Sequence, residues 1–307
     1  MALDFYNLTP DAVMRATEQA GFFPTGEFLQ LNSYENRVFR IKLEDKSSLV
    51  AKFYRPGRWN QNQLQDEHDF LNELENEGIP VNRPLKMILF EGIWVAFFPL
   101  FLGRSVTEIL PQDWEKLGRL LARVHNVGER QESPHRLWMT SEHPNGWPAL
   151  IDLEKWVDPS LKKRYFDAAE NLMGLYEDNI DTNGFLRIHG DLHKGNLLSR
   201  DESFFLVDFD DHVMGPAIQD VWMLFSESEQ FEFEKESLLK GYEELREFPE
   251  EQWDWVPLMR GFRLVGYSAW IARRWKDPSF PRLFPDFNSY SYWVEETEAL
   301  EKCLSHF

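Results

Sequence analysis

The chain contains the segment Ile188-His189-Gly190-Asp191-Leu192-His193-Lys194-Gly195-Asn196-Leu197-Leu198, followed shortly by Phe204-Phe205-Leu206-Val207-Asp208-Phe209-Asp210-Asp211. Gly190 and Gly195 favour a tight loop around Asp191 and Asn196. The apolar run before Asp208 has the length of a short buried strand, so the Asp208 carboxylate is expected at a strand end. Two carboxylates and one amide on such elements are the polar groups that phosphoryl transfer requires.

The spacing Asp191-x-x-x-x-Asn196 lets one short loop serve two purposes. Asp191 can reach an accepting hydroxyl while Asn196 reaches a metal ion, which is the arrangement of a kinase catalytic loop. Asp208 adds a second hard oxygen ligand of the kind that suits Mg²⁺. We therefore predict Asp191 and Asp208 as catalytic residues, Asn196 and Asp208 as Mg²⁺ ligands, and ATP as the phosphoryl donor.

Composition limits the partners of this chain. The 307 residues are 43% hydrophobic, and 33 basic residues against 52 acidic ones leave a formal charge of -19. A surface of this charge repels polyanions, so we expect no nucleic acid partner. Cys303 is the single cysteine, which excludes an intrachain disulfide and a cysteine-cluster metal site.

The sequence also carries no membrane or secretion signal that we recognise. Its first residues, Met1-Ala2-Leu3-Asp4-Phe5, lack the basic region and apolar core of a signal peptide. No apolar run approaches the roughly 20 residues of a membrane-spanning helix. We expect a cytoplasmic protein without a membrane partner, and we take a monomer as the starting expectation.

The type of periodicity changes along the chain. Helical spacing at 9–20 and 61–77 encloses strand-like patterns over 28–54, and two further strands are predicted near 84–89 and 92–98. Further helices are predicted at 111–127, 161–180, 217–227, 231–247, 257–276 and 289–304. This order predicts an α+β protein with a β-rich N-terminal lobe (1–98), a hinge (99–103) and a larger helical C-terminal lobe (104–307).

Two charged residues of the N-terminal region stand out against this pattern. Period two over 49–54 places Leu49, Ala51 and Phe53 on one face and Lys52 on the other. Glu67 lies within the apolar stripe of helix 61–77, where a carboxylate must find a cation or lose its charge. A solvated position at the edge of the stripe explains Glu67 equally well on spacing alone.

Taken together, these motifs resemble a known group of enzymes. His189-Gly190-Asp191-x-His193-x-x-Asn196 is similar to the catalytic signature of the aminoglycoside phosphotransferase and choline kinase group, which has the bilobal protein-kinase-like fold. A narrower resemblance, to the bacterial stress response kinase A family, extends over Leu31-Asn32-Ser33-Tyr34-Glu35-Asn36-Arg37-Val38, Val50-Ala51-Lys52-Phe53-Tyr54-Arg55-Pro56, Gly215-Pro216-Ala217-Ile218-Gln219-Asp220-Val221-Trp222-Met223-Leu224 and Arg273-Arg274-Trp275-Lys276-Asp277-Pro278-Ser279-Phe280-Pro281.

This resemblance implies an ATP- and Mg²⁺-dependent serine/threonine protein kinase with a cytoplasmic role in surviving stress. Its acceptor would be a protein hydroxyl, including that of the enzyme itself. It assigns the proton acceptor to Asp191, Mg²⁺ binding to Asn196 and Asp208, and an ATP contact to Ser33. Lys52 and Glu67 match the phosphate-positioning pair of the wider fold, which favours the buried alternative for Glu67.

The chain also departs from ordinary protein kinases. No Gly-x-Gly-x-x-Gly precedes Lys52, so the hydroxyl and amide groups of Ser33 and Asn36 are expected to take over part of the ATP contacts. Gly190 replaces the arginine that would receive an activation-loop phosphate, and Asp210 replaces the glycine of Asp-Phe-Gly. We predict a kinase that needs no activating phosphorylation.

Phe98 and Leu100 flank the hinge and suit either side of an adenine ring, although core packing explains them equally well.

Three interpretations of the function remain open at this level, and the protein kinase implied by the resemblance is the first. The catalytic signature alone also suits a small-molecule kinase that acts on a hydroxyl metabolite such as an amino alcohol, homoserine or an aminoglycoside. A non-catalytic nucleotide-binding scaffold is disfavoured, because a degenerate kinase usually lacks at least one of the polar residues found here.

Overall fold

The computed structural model describes residues 4–226 and 228–307. Its described residues form two compact units: the first lies within Met1–Arg136, His189–His212 and Met223–Glu247, and the second within Leu137–Ile188, Val213–Trp222 and Phe248–Phe307. Residues 189–212 therefore belong to the same unit as Lys52 and Glu67. The lobe boundaries at residues 98 and 103 stay a prediction.

The first unit contains the elements that carry the candidate catalytic residues. Numbered along the chain, its helices are α1 (Pro10–Gln19), α2 (Gln61–Asn76), α3 (Trp114–Gly128) and α7 (Phe231–Glu243). Its strands are β1 (Pro24–Leu31), β2 (Arg37–Leu43), β3 (Ser48–Phe53), β4 (Lys86–Phe90), β5 (Ile93–Pro99), β6 (Arg104–Ser105), β8 (Leu197–Arg200) and β9 (Ser203–Leu206). The α1 helix begins as expected, because the Thr9 side chain accepts from the Ala12 N–H and Pro10 holds the first helical position.

Strands β1 to β5 form one antiparallel sheet in the order β1-β2-β3-β5-β4. The face that packs with α1 buries Leu49, Ala51 and Phe53 of β3 together with Phe97 of β5. Because side chains alternate along a strand, Lys52 projects from the other face. It lies opposite Ala96 of β5 in the antiparallel register. The strand alternation predicted for residues 49–54 is confirmed.

Helix α2 is held in register by caps at both ends. The Asn60 side chain accepts from the Gln63 N–H, and the Gln63 side chain accepts from the Asn60 N–H. Together these two hydrogen bonds form a capping box. At the other end, Gly78 adopts the left-handed φ of 68° that stops a helix. These caps fix the two ends of α2, and the residues that the helix buries between them include Glu67.

Helices α3 and α7 approach each other through two glycines. A Cβ added at Gly118 would lie 2.0 Å from the carbonyl oxygen of Leu238, and one added at Gly241 would lie 2.0 Å from that of Glu115. Only hydrogen fits at either position. The contact therefore depends on both glycines, a requirement that helical periodicity does not express.

The second unit is mostly helical. Its helices are α4 (Trp147–Leu153), α5 (Lys162–Asn179), α6 (Gln219–Trp222), α8 (Val256–Arg274), α9 (Phe280–Leu283) and α10 (Tyr290–Leu304), and its strands β7 (Leu186–Ile188) and β10 (Val213–Gly215) pair antiparallel. Helix α8 packs against α4, α5 and α10. Among the described residues, no helix combines the length and apolar character needed to cross a membrane.

The α+β class predicted from the sequence is confirmed. The errors of the prediction from sequence are limited to individual helices. The helix expected over 217–227 is limited to Gln219–Trp222. Met223, Leu224 and Phe225 follow it directly and continue the apolar pattern of a helix, although the backbone turns at 223–224 and leaves the helix. The short helices α4 and α9 were not predicted, since four to seven residues are too few to display helical periodicity.

Candidate active site

Lys52 is buried and contacts three carboxylates in the first unit. Its Nζ atom lies 3.0 Å from Oδ1 of Asp208 and 3.1 Å from Oδ1 of Asp210. Glu67 is farther away, with Oε1 at 3.9 Å. Burial by itself lowers the pKa of the Lys52 amine, but the negative charges of Asp208, Asp210 and Glu67 raise that pKa well above its ordinary value. Lys52 is therefore a cation throughout the physiological pH range.

Glu67 is buried on the inner face of α2, with a side chain 1% exposed. Its Oε2 accepts a 2.8 Å hydrogen bond from Nη2 of Arg136, and its Oε1 accepts a longer one, 3.4 Å, from the Tyr54 hydroxyl. Burial raises the pKa of the Glu67 carboxyl to about 7, and the charges of Lys52 and Arg136 offset this only in part. The nearest cation to Glu67 is thus Arg136, not Lys52.

The loop between β7 and β8 is closed by bonds from side chains to the backbone. His189 accepts the Asp191 N–H at Nδ1 (3.3 Å), so its Nε2 carries the proton and donates to the Val207 carbonyl at 2.9 Å. The Asn196 amide donates to the Asp191 carbonyl at 2.8 Å, and the Val207 N–H donates to the Asn196 carbonyl at 3.1 Å. Asp191 and Asn196 are consequently tied to the strand end that precedes Asp208.

The carboxylates of Asp191 and Asp208, which are the predicted catalytic residues, are partly open to solvent. The Asp191 side chain is 28% exposed, and its Oδ2 lies 3.6 Å from Nε2 of His193. The Asp208 side chain is 53% exposed, although Lys52 contacts its Oδ1. Both carboxylates therefore remain accessible to a ligand from the solvent side, whereas Glu67 does not.

Two residues of this region have left-handed backbone. Gly190 has φ 84°, which glycine adopts without cost and an arginine would not. Asp208 has φ 65° and ψ 63°, which is uncommon for a residue with a side chain. Such backbone strain clusters at functional sites, where the surrounding structure holds it in place.

Asp210 is the most heavily paired carboxylate of the group. Besides Lys52 at Oδ1, its Oδ2 contacts Nη1 of Arg58 and accepts from the Asn36 amide at 3.3 Å. Burial would raise the pKa of the Asp210 carboxyl, but the cations Arg58, Lys52 and Arg136 hold it well below its usual range. Asp210 is therefore an anion at physiological pH. A glycine at this position would leave Lys52 and Arg58 without this partner.

The turn between β1 and β2 is attached to Asp210. The Ser33 hydroxyl accepts from the Asn36 N–H at 3.2 Å. The buried Asn36 side chain accepts from the Arg55 N–H at 3.1 Å in addition to its bond to Asp210. Glu35 strengthens the attachment through its 3.1 Å ion pair with Arg55. ATP contacts from Ser33 and Asn36 stay a prediction, and the turn that would provide them is held by side chains.

Phe98 lies on the same face of the sheet as Lys52, because its register partner is Val50. Its ring stands perpendicular to that of His68, with centroids 6.1 Å apart. Leu100 follows the last residue of β5 and is half-buried. These positions are compatible with adenine contacts, which stay a prediction.

The oxygen atoms of this site suit a hard cation that keeps its own water. The Asn196 amide nitrogen is bound to Asp191, which leaves its carbonyl oxygen for ligation, and Asp208 offers a carboxylate. Within residues 4–226 and 228–307, no group of three or more His, Cys, Asp or Glu side chains could hold a metal by itself. One carboxylate and one amide, completed by phosphate and water, fit Mg²⁺.

Sequence reasoning missed Arg58 and Arg136. Arg136 lies 69 positions from Glu67 along the chain, and no spacing rule connects residues so far apart. The available signal was indirect, since a carboxylate in an apolar helical stripe requires a cation. That requirement does not say which cation meets it, and Lys52 was the obvious candidate.

A known protein family and several curated relatives are similar to this chain over most of its length. A family model described as the phosphotransferase enzyme family, APH, matches residues 27–256. This chain belongs to that family. Stress response kinase A of Escherichia coli O157:H7 is 36% identical over 304 residues, which cover 96% of this chain and 92% of the relative. The serine/threonine protein kinase RdoA of Salmonella typhimurium LT2 is 35% identical with the same coverage.

Solved structures of low sequence identity share the fold. Amicoumacin kinase hAmiN, in complex with AMP-PNP, Ca²⁺ and Ami, is 20% identical with a TM-score of 0.73, covering 95% of this chain and 94% of that one. A microcompartment-associated aminopropanol kinase is 20% identical with a TM-score of 0.72, covering 95% and 98%. This member of the phosphotransferase family therefore has the protein-kinase-like fold. Because it belongs to this family and its relatives are named as kinases, it is an ATP-dependent phosphotransferase.

Proposed function

We propose that this phosphotransferase is a Mg²⁺-dependent serine/threonine protein kinase of the stress response. The observation that carries the proposal is its similarity, over 96% of its length, to relatives named stress response kinase A and serine/threonine protein kinase. This similarity extends well beyond the catalytic loop, which supports a shared type of acceptor as well as shared ATP binding.

The geometry of the first unit supports the chemical part of this proposal. Asp191 takes the proton from the acceptor hydroxyl as its oxygen attacks the γ-phosphate of ATP, and ADP leaves. Lys52 neutralises charge on the phosphates. Asn196 and Asp208 would hold Mg²⁺, which would supply further positive charge beside the phosphate oxygens. The hydrogen bonds that join Asn196 to Asp191 and Val207 keep the base and the metal ligands in register.

A small-molecule kinase is the second candidate. The two solved structures named above are an amicoumacin kinase and an aminopropanol kinase, whose names point to small-molecule acceptors. At 20% identity this similarity indicates the fold but does not indicate the acceptor. We therefore rank it below the protein kinase, and we keep the cytoplasmic location and the monomeric state as further predictions.

Labelling with γ-phosphate-labelled ATP and Mg²⁺ separates these functions. The full-length enzyme is incubated alone, with a generic basic protein, and with a panel of hydroxyl metabolites. We expect label on serine or threonine of protein, and a loss of about 10²- to 10⁴-fold in the rate for Asp191→Asn, because a general base is removed.

The matched control is Asp201→Asn in the turn between β8 and β9, where the aspartate side chain is 87% exposed. It should label as the wild type does. Label confined to metabolites would overturn the protein kinase in favour of the second candidate. Absence of label from every acceptor would support a nucleotide-binding scaffold instead.

A further inference from the structure

Arg136 occupies a position in the carboxylate group that the kinase motifs do not describe. In those motifs a strand lysine pairs with a helix glutamate, here Lys52 and Glu67. The observed separation of their charged atoms is 3.9 Å, whereas Nη2 of Arg136 lies 2.8 Å from Oε2 of Glu67. The glutamate therefore has its own cation, and Lys52 is closer to Asp208 and Asp210.

The Arg136 guanidinium is used on three sides. Its Nε donates to the Gln63 carbonyl at 2.9 Å, its Nη2 donates to Glu67, and its Nη1 donates to the Asp210 carbonyl at 2.8 Å. The side chain has no exposed area, and its guanidinium lies 4.4 Å from the centre of the Trp59 ring. The rigid plane of an arginine directs donors from three separate nitrogens at acceptors on different sides, whereas the three donors of a lysine leave a single nitrogen.

The neighbours of Arg136 bind helix α2 in a second way. The buried Asp66 carboxylate accepts the His135 N–H at 2.7 Å and the Arg136 N–H at 3.1 Å. On the other side, Ser133 bonds to His212 at 2.8 Å, and the His212 ring stacks on Phe70 of α2. Residues 133–136 thus connect α2 to the segment 208–212.

We propose that Arg136 is a positioning residue for phosphoryl transfer: it satisfies Glu67 and fixes α2 against the Asp208–Asp210 segment, so that Lys52 stays directed at Asp208 and the phosphate site. The inference rests on the proposed use of Lys52 and Asp208 in ATP binding. Without Arg136, Lys52 is the cation that remains within 4 Å of the buried Glu67 carboxylate. An ionised Glu67 would then be stabilised by drawing Lys52 away from Asp208.

The test measures binding of ATP with Mg²⁺ by calorimetry, and kcat and KM for ATP where an acceptor is labelled. Arg136→Gln should weaken ATP binding at least about tenfold, because small displacements of a positioning group have large effects. Arg136→Lys keeps a charge beside Glu67, which protects folding, but loses the fork and should also weaken binding. The control Arg130→Gln removes an exposed arginine paired with Glu77 and should bind ATP as the wild type does.

A rescue distinguishes positioning from general stability. Adding Glu67→Gln to Arg136→Gln removes the carboxylate that would capture Lys52, so the double variant should recover at least half of the lost affinity on a logarithmic scale. Wild-type ATP affinity and KM in Arg136→Lys, or equal weakening in the single and double variants, would overturn the inference. Because the readout is nucleotide binding, it stands even if the wild type labels no protein and the proposed protein kinase function fails.

Discussion

Replacement of Glu67 by glutamine provides a direct measurement of how strongly this site opposes a buried charge. Glu67→Gln preserves shape and one acceptor but cannot ionise. The wild-type carboxyl has a pKa of about 7, because burial raises it and the charges of Lys52 and Arg136 offset only part of that effect. The free energy of unfolding of the wild type should therefore depend on pH in a way that the variant does not.

The magnitude follows from proton linkage. The pKa of Glu67 is about 7 in the folded protein against an ordinary value of 4.5, so the folded state binds the extra proton between these pH values. The stability contributed by protonated Glu67 is fully present below pH 4.5 and is lost as the pH rises through 7. Between pH 5 and pH 8 the loss amounts to about 2.5 kcal/mol.

The assay is urea-induced unfolding, followed by tryptophan fluorescence at a series of pH values between 5 and 8. The free energy of unfolding of the wild type minus that of Glu67→Gln should fall by about 2.5 kcal/mol across this range. Any constant cost of the glutamine cancels, since only the change with pH is used. A difference that stays flat, or rises with pH, would refute the argument that burial outweighs the two cations.

Glu77→Gln serves as the control for this experiment. Glu77 follows α2 directly and is exposed, and the hydrogen bond from Arg130 lowers the pKa of its carboxyl. A lowered pKa contributes stability above the ordinary value of 4.5 that is lost only below it. The wild-type minus Glu77→Gln difference should therefore be level from pH 5 to pH 8.

Four further substitutions test packing and charge. Gly241→Ala should lower the free energy of unfolding by about 3 kcal/mol, because the new methyl group would meet the Glu115 carbonyl at 2.0 Å; Gly174→Ala, with no atom within 4 Å, should raise it by about 0.5–1 kcal/mol, and equal effects in urea unfolding would contradict this. Asp210→Asn should lower the free energy of unfolding by about 3–5 kcal/mol in the same measurement, since it removes the buried carboxylate that Lys52 and Arg58 share; a loss below 1 kcal/mol would show that this pairing contributes little. Lys52→Met should reduce ATP-dependent labelling at least about 10²-fold while far-UV circular dichroism stays unchanged, and near-normal labelling would remove Lys52 from the site.

Much of the site could be predicted from the sequence, because its signals are local. Asp191 and Asn196 lie on one short loop, and Asp208 lies just past one strand, so their spacing alone predicts their proximity. The strand alternation that separates Lys52 from Leu49, Ala51 and Phe53 is likewise a property of consecutive residues, and the burial of those three confirms it.

Spacing arguments failed where contacts join distant parts of the chain. Helical periodicity could not decide whether Glu67 was buried or solvated, and the family resemblance suggested Lys52 as its partner. The structure buries Glu67 and brings Arg136 nearer to it. The left-handed backbone of Asp208 was also not foreseen, because aspartate at a strand end gives no sign of it.

The sequence by itself determined the α+β class and the family, and it predicted the residues proposed for phosphoryl transfer, because each of these depends on periodicity or on short motifs. The tertiary structure decided how the charges are shared: Lys52 with Asp208 and Asp210, Glu67 with Arg136, and Arg58 with Asp210. The physical reason is that several buried carboxylates compete for several cations at short range. Which pairs form depends on ångström differences that only the folded backbone sets.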